Sequence, residues 1–217
     1  MKQVSSTPVT PVDANAAKRD IPCPVQRALA RAGHIGENVP LGKFGKLVAK
    51  AFGSEGSAAE TQKMILRGIG AVANGVLSIP RNIANGFRPH ELRGGPLDKR
   101  GGGTRILSQE GKFDPAEWER FETFGRQYPK EDGDGTELGW GSVELKAYLD
   151  ANQARAHGSW WQRHVLAQEE LPALLRMMGR GEEPNRHLVA KEVKALYQDE
   201  KLPARIEQRI ANVRAIG

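Results

Sequence analysis

The chain has 217 residues, 39% apolar and 27% charged, with a single cysteine and a net charge of +6. That composition supports a real core and excludes wholesale disorder; Cys23 alone excludes an internal disulfide framework and a Cys-rich metal site. The charge is uneven, with 16 basic and 7 acidic residues through Arg105 against 16 and 19 afterwards, so the positive field belongs to the first half and suits phosphates, an anionic surface or an acidic partner.

Residues 1–20 lack the continuous apolar stretch of a signal peptide and read as a flexible tail. With one cysteine, a reducing, cytoplasmic setting is expected. Residues 21–217 read as one α domain. Within it, 21–56 form a helix–loop–helix unit: VQRALARAG ends a short helix at Gly33, and Phe44, Leu47, Val48, Ala51 and Phe52 recur at helical spacing. In residues 57–80, Ser57 and Glu60 make a capping pair ahead of the apolar run MILRGIGAVANGVLSI. Arg67 and Asn74 interrupt that run, which is too short to span a bilayer, so a helix folded inward is expected rather than a membrane span. Residues 81–105 are rich in Gly, Pro and Arg and read as a long irregular loop.

The second helical half, 106–217, opens with ILSQEGKFDPAEWERFETF. A strand is expected at Arg105–Leu107. Gln109-Glu110-Gly111 supplies a turn, and Asp114, Pro115 and Glu117 make a strong helix start, with a capping carboxylate, Pro at the first helical position and Glu three residues after the cap. Trp118, Phe121 and Phe124 bury one face. KEDGDGTELGWG reads as a turn-rich loop, after which Ser142 caps a helix carrying Leu145, Tyr148 and Leu149 inward. SWWQRHVLAQEEL follows, with a break or kink at Pro172. Val189, Val193, Leu196 and Tyr197 form another stripe, and Pro203 starts a last helix with Ile206, Ile210 and Val213 on one side. The fold class is mainly α, with paired helix–loop–helix units and a short strand pair.

Helix, 12-residue loop, helix is the calcium-binding arrangement of an EF-hand, with oxygen ligands at positions 1, 3 and 5, Gly at 6 and a bidentate Glu at 12. A loop beginning at Gly33 places Ile35 at 3 and Phe44 at 12 and cannot hold calcium in that way. One beginning at Gly181 supplies Glu183, Asn185 and Glu192 at 3, 5 and 12, with Arg186 where Gly is wanted. One beginning at Asp132 supplies Asp134 at 3 and Val143 at 12. These are degenerate loops, and calcium binding is not expected; Asp132, Asp134, Glu183 and Glu192 are the carboxylate candidates.

Four stretches in order, PRNIANG with RPHELRGG, ILSQEGKFDPAEWERFETF, SVELKAYLDAN and LVAKEVKALYQDEKLPARIE, resemble the caleosin family, lipid-associated EF-hand proteins some of which are haem-dependent peroxygenases. The resemblance covers residues 80 to 206. It implies a haem held by two histidines. The second falls on His90, the first falls near Ala28, and His34, His164 and Cys23 are the remaining candidates to complete the iron site. The resemblance thus implies a soluble haem-dependent oxygenase or peroxygenase in which His90 is catalytic and Trp118, Phe121, Trp160 and Trp161 line a pocket for a hydrophobic or lipid-like small molecule. The alternative is a non-catalytic EF-hand-like binding or scaffold protein that has lost its calcium and haem ligands and uses its basic first half, or the 58–79 helix, against a partner or an anionic or lipid surface. No specific nucleic-acid partner is expected.

Overall fold

A computed structural model describes residues 21, 23–52, 82, 85–92, 104–108, 110–155, 160, 163–164 and 167–216. The expected tail, the capping pair Ser57 and Glu60, the apolar helix at 57–80 and most of the loop at 81–105 lie outside these residues. The described chain is mainly α: α1 (Pro24–Arg31), α2 (Leu41–Phe52), α3 (Pro115–Glu122), α4 (Ser142–Gln153), α5 (Ala167–Met178), α6 (Ala190–Gln198) and α7 (Ala204–Ile210). A small antiparallel sheet joins them, with β1 (Arg126–Pro129), β2 (Thr136–Trp140) and β3 (Leu188–Val189) in the order β1-β2-β3.

Local chemistry explains the helix ends. Gly33 takes φ +76° just after α1, a conformation that costs a residue with a Cβ. Asp114 caps α3, its Oδ1 accepting from the backbone N–H of Ala116 at 3.0 Å and of Glu117 at 3.2 Å. Glu117 does not turn back to complete the cap. It is buried and points inward. The cap of α4 is Gly141 rather than Ser142, and Glu144 reaches back to its N–H at 2.9 Å. Pro172 sits inside an unbroken α5. Its missing N–H removes one bond, but Leu171, Leu174, Leu175 and Met178 are all buried in the core and hold the helix together.

The sheet lies elsewhere than expected. Residues 126–140 form a hairpin where a turn-rich loop is expected over 130–141, its turn built on Gly133 and Gly135 at positive φ. At Leu107 there is only an isolated bridge to Phe113.

The core is continuous. α2 packs on α7, α1 on α6, α4 on α5, and α6 on β2. Phe121 and Trp140 stack with ring centroids 4.0 Å apart at 10°, and Trp118 meets both edge-on. Such aromatic pairs add about 0.5–1.5 kcal/mol each beyond the area they bury. Two bridges tie the first unit to the remainder, Ile35 to Ile216 and Val39 to Phe87. At Gly86 (φ +82°) a Cβ would lie 2.7 Å from the Val39 carbonyl carbon, so only glycine lets this second bridge close.

Candidate functional site

Two helix–loop–helix units meet through their loops. The antiparallel pair of β2 and β3 sets Trp140 against Leu188 and Gly139 against Val189. Four residues after each of the first two stands a glutamate, Glu144 on α4 and Glu192 on α6, each in the first turn of its helix. The two carboxylates are therefore equivalent under the local symmetry of the strand pair.

Neither carboxylate is open. Glu144 Oε2 accepts from the Tyr128 hydroxyl at 2.6 Å and from Gly141 N–H at 2.9 Å, while Oε1 lies 3.1 Å from Arg126 Nε. Burial raises the Glu144 pKa, but the Tyr128 hydroxyl, the Gly141 amide and Arg126 outweigh it and hold the carboxyl below its ordinary range. The Tyr128 phenol moves the opposite way, upward, through burial and the adjacent carboxylate. Glu192 receives two guanidinium groups: Arg180 Nη2 lies 2.5 Å from Oε1, and Arg205 Nη2 lies 3.0 Å from Oε2. Glu131, on the hairpin turn, lies 3.7 Å from Arg180. Arg180 is held more firmly protonated than usual, since Glu192 and Glu131 outweigh the opposing effect of its burial.

The other oxygen candidates do not converge on these two. Asp132 and Asp134 sit on the exposed hairpin turn, where Asp132 Oδ1 accepts from Asp134 N–H at 3.0 Å. Glu183 is exposed in the loop between α5 and β3. Among the described residues, no group of three or more His, Cys, Asp or Glu side chains is placed to hold a metal ion.

His187, not singled out in the sequence, is the histidine built into the loop pair. It is 3% exposed and stacks on Tyr128 with centroids 4.2 Å apart at 10°. Its Nδ1 donates to the Asn185 carbonyl at 2.9 Å, and its Nε2 lies 3.5 Å from Glu137 Oε1. A Cβ at Gly139 would stand 2.8 Å from its Cδ2, so the small residue on β2 makes room for the ring.

A second polar cluster lies beneath Thr104. Glu117 takes both Arg155 Nη1 at 2.9 Å and Nη2 at 2.8 Å, with the Tyr148 hydroxyl 3.0 Å from Oε1. The Tyr148 hydroxyl also meets the Thr104 carbonyl, which accepts from Asn152 Nδ2 at 3.3 Å. Glu170 accepts from Thr104 N–H at 3.3 Å and from the Tyr197 hydroxyl at 2.9 Å. Burial and the carboxylates raise the pKa of both tyrosines well above the usual phenol value. This network pins residues 104–105 to α4 and α5, with Arg105 Nη1 donating to the Arg155 carbonyl at 3.0 Å.

The three histidines named as haem candidates occupy separate places. His90 is half-buried on a short 3-10 turn, Pro89–Leu92. His34 is half-buried after α1, its carbonyl accepting from Ile216 N–H at 3.0 Å. His164 is exposed, receives Gln153 Nε2 at 2.7 Å and stacks on Trp160, itself 64% exposed. No described hydrogen bond, ion pair or ring contact joins any two of them. Ala28, the position matched to the first iron ligand, is 1% exposed in the core of α1. An alkyl group there offers iron no electron pair, so the residues present do not fit a haem held by a histidine from α1 and His90. Trp118 and Phe121 belong to the packed aromatic core, and Trp161 lies outside the described residues.

No helix among the described residues is long and apolar enough to cross a membrane. No family model, no curated protein and no solved structure matches this chain.

Proposed function

We propose that this chain is a non-catalytic binding or scaffold protein built on EF-hand-like units whose loops are closed by internal cations. One observation carries the reading. Counting 12 residues from Gly181 places Glu192 where a bidentate calcium ligand would stand, and its carboxylate oxygens are held instead by Arg180 and Arg205. A guanidinium satisfies the charge that a divalent ion would otherwise neutralise, and it does so without leaving the protein. The equivalent Glu144 is likewise engaged, by Arg126, Tyr128 and its own helix start.

The oxygenase reading rests on His90 alone, with an alkyl side chain at the companion position. Calorimetric titration with calcium and a haem titration followed in the visible range test the two readings together. A binding protein of this kind gives no saturable calcium heat and no Soret band that depends on His90. Saturable calcium uptake, or a Soret band lost in His90→Ala, would overturn it.

A further inference from the structure

We infer that the outer face of α2 docks on an anionic phospholipid surface. Lys43, Lys46 and Lys50 stand at i, i+3 and i+7, so they share one side of the helix over about 10 Å. All three are exposed, and none takes part in an ion pair or hydrogen bond among the described residues. The helix contains no acidic residue. Its opposite side buries Phe44, Leu47, Val48, Ala51 and Phe52 against α7 and the core, so the lysines are presented on a fixed rod rather than a loose tail.

Two arginines stand near the two ends of the helix. Arg88, exposed, donates from Nε to Asn38 Oδ1 at 2.9 Å in the loop ahead of α2. Arg209, also exposed, reaches the Ala51 carbonyl at 3.5 Å near its far end. The acids on the adjoining elements are Glu37 in that loop and Glu207 on α7; both are exposed and form no ion pair among the described residues.

The chemistry of the face selects the partner. Protein interfaces are typically anchored by buried aromatic or arginine side chains, and beside its lysines the outer side of α2 offers only Gly42 and Ala49. A nucleic acid is gripped through arginine forks and stacking rings as well as point charges, and α2 exposes no aromatic side chain and contains no arginine. A bilayer of acidic lipids requires only clustered, mobile ammonium groups, each contributing at the membrane surface. This deepens the binding-protein reading and rests on it.

The test is co-sedimentation of the full chain with phosphatidylcholine vesicles, with and without about 30% phosphatidylserine, at low and high salt. Binding is expected only to the acidic vesicles. It should fall roughly 100-fold in the triple variant Lys43→Gln, Lys46→Gln, Lys50→Gln, whose exposed sites leave the urea midpoint unchanged. Equal binding to neutral vesicles, unchanged binding by the triple variant, or tighter binding of duplex DNA than of acidic vesicles would each overturn the assignment. A haem spectrum on the same preparation separates the two failures: protein that ignores acidic vesicles and takes up no haem sinks this inference alone, whereas a His90-dependent Soret band sinks the reading beneath it.

Discussion

Arg180 and Glu192 close the loop between α5 and α6 on itself, with guanidinium Nη2 and carboxylate Oε1 2.5 Å apart and the two side chains only 26% and 12% exposed. Removing the carboxylate leaves two partly buried guanidinium groups without their main counter-charge. Glu192→Ala is expected to cost about 2 kcal/mol, below the figure for a fully buried pair because water still reaches both partners. Urea denaturation measures it. A double-mutant cycle with Arg180→Ala should return a coupling energy clearly above zero, and additive losses would show that the two side chains do not act together.

Tyr148→Phe deletes a hydroxyl shared by the Thr104 carbonyl and Glu117 without changing the ring packed among Phe121 and Phe124. The buried carbonyl keeps Asn152, so the expected loss is about 1–2 kcal/mol. A thermal melt should fall by several degrees while the far-ultraviolet spectrum is unchanged. A melt equal to that of the native chain would mean the hydroxyl contributes nothing to holding residues 104–105.

Stability should have two pH limbs with different owners. The Glu144 carboxyl titrates below its ordinary value in the folded chain, so its contribution is complete above about pH 5 and is lost as the pH falls through the lowered value. Tyr128, Tyr148 and Tyr197 are shifted upward, so their contribution is complete below about pH 9 and is lost as the pH rises toward the raised values. Denaturant midpoints across this range should flatten on the acid side in Glu144→Gln and on the alkaline side in Tyr148→Phe. Unchanged limbs in those variants would assign the pH dependence to other groups.

Gly139→Ala tests the junction of the two loops. The added methyl would lie 2.5 Å from the Leu188 carbonyl oxygen and 2.8 Å from His187, and the first obstacle is backbone that cannot swing away. A loss of about 2–3 kcal/mol is expected, with the Tyr128–His187 stack disturbed in the aromatic proton spectrum. Gly133→Ala, facing open space at φ +76°, serves as the control for backbone strain alone.

What could be read from the sequence was whatever short-range chemistry decides. The apolar stripe of α2, the Asp114–Pro115 helix start and the final helix after Pro203 each depend on residues within a few positions of one another. The hairpin did not announce itself: RQYP and TELGW contain Pro, Gly and charge, and the contact that packs Tyr128, its stack on His187, comes from a residue about 60 positions away in the chain. Glu117 resembles a capping partner until Arg155 meets it across the core. Glu144 escaped a 12-residue count from Asp132 by one position, which landed on the 73%-exposed Val143; the pairing of Trp140 with Leu188 makes Gly133, at φ +76°, the counterpart of Gly181, at φ +73°, and a count from there ends on Glu144. The helix start at Gly141, with Glu three residues on, was the local signal that could have found it.

The Trp140 indole lies flat on Phe121, donates from Nε1 to the Phe121 carbonyl at 3.1 Å, and has none of its surface exposed, while its backbone pairs with Leu188. One side chain therefore sits both at the seam between the two units and in a dry, asymmetric optical environment. With Trp118, Trp160 and Trp161 replaced by phenylalanine, its emission colour and near-ultraviolet circular dichroism become a gauge of whether the seam is shut, readable without any attached dye.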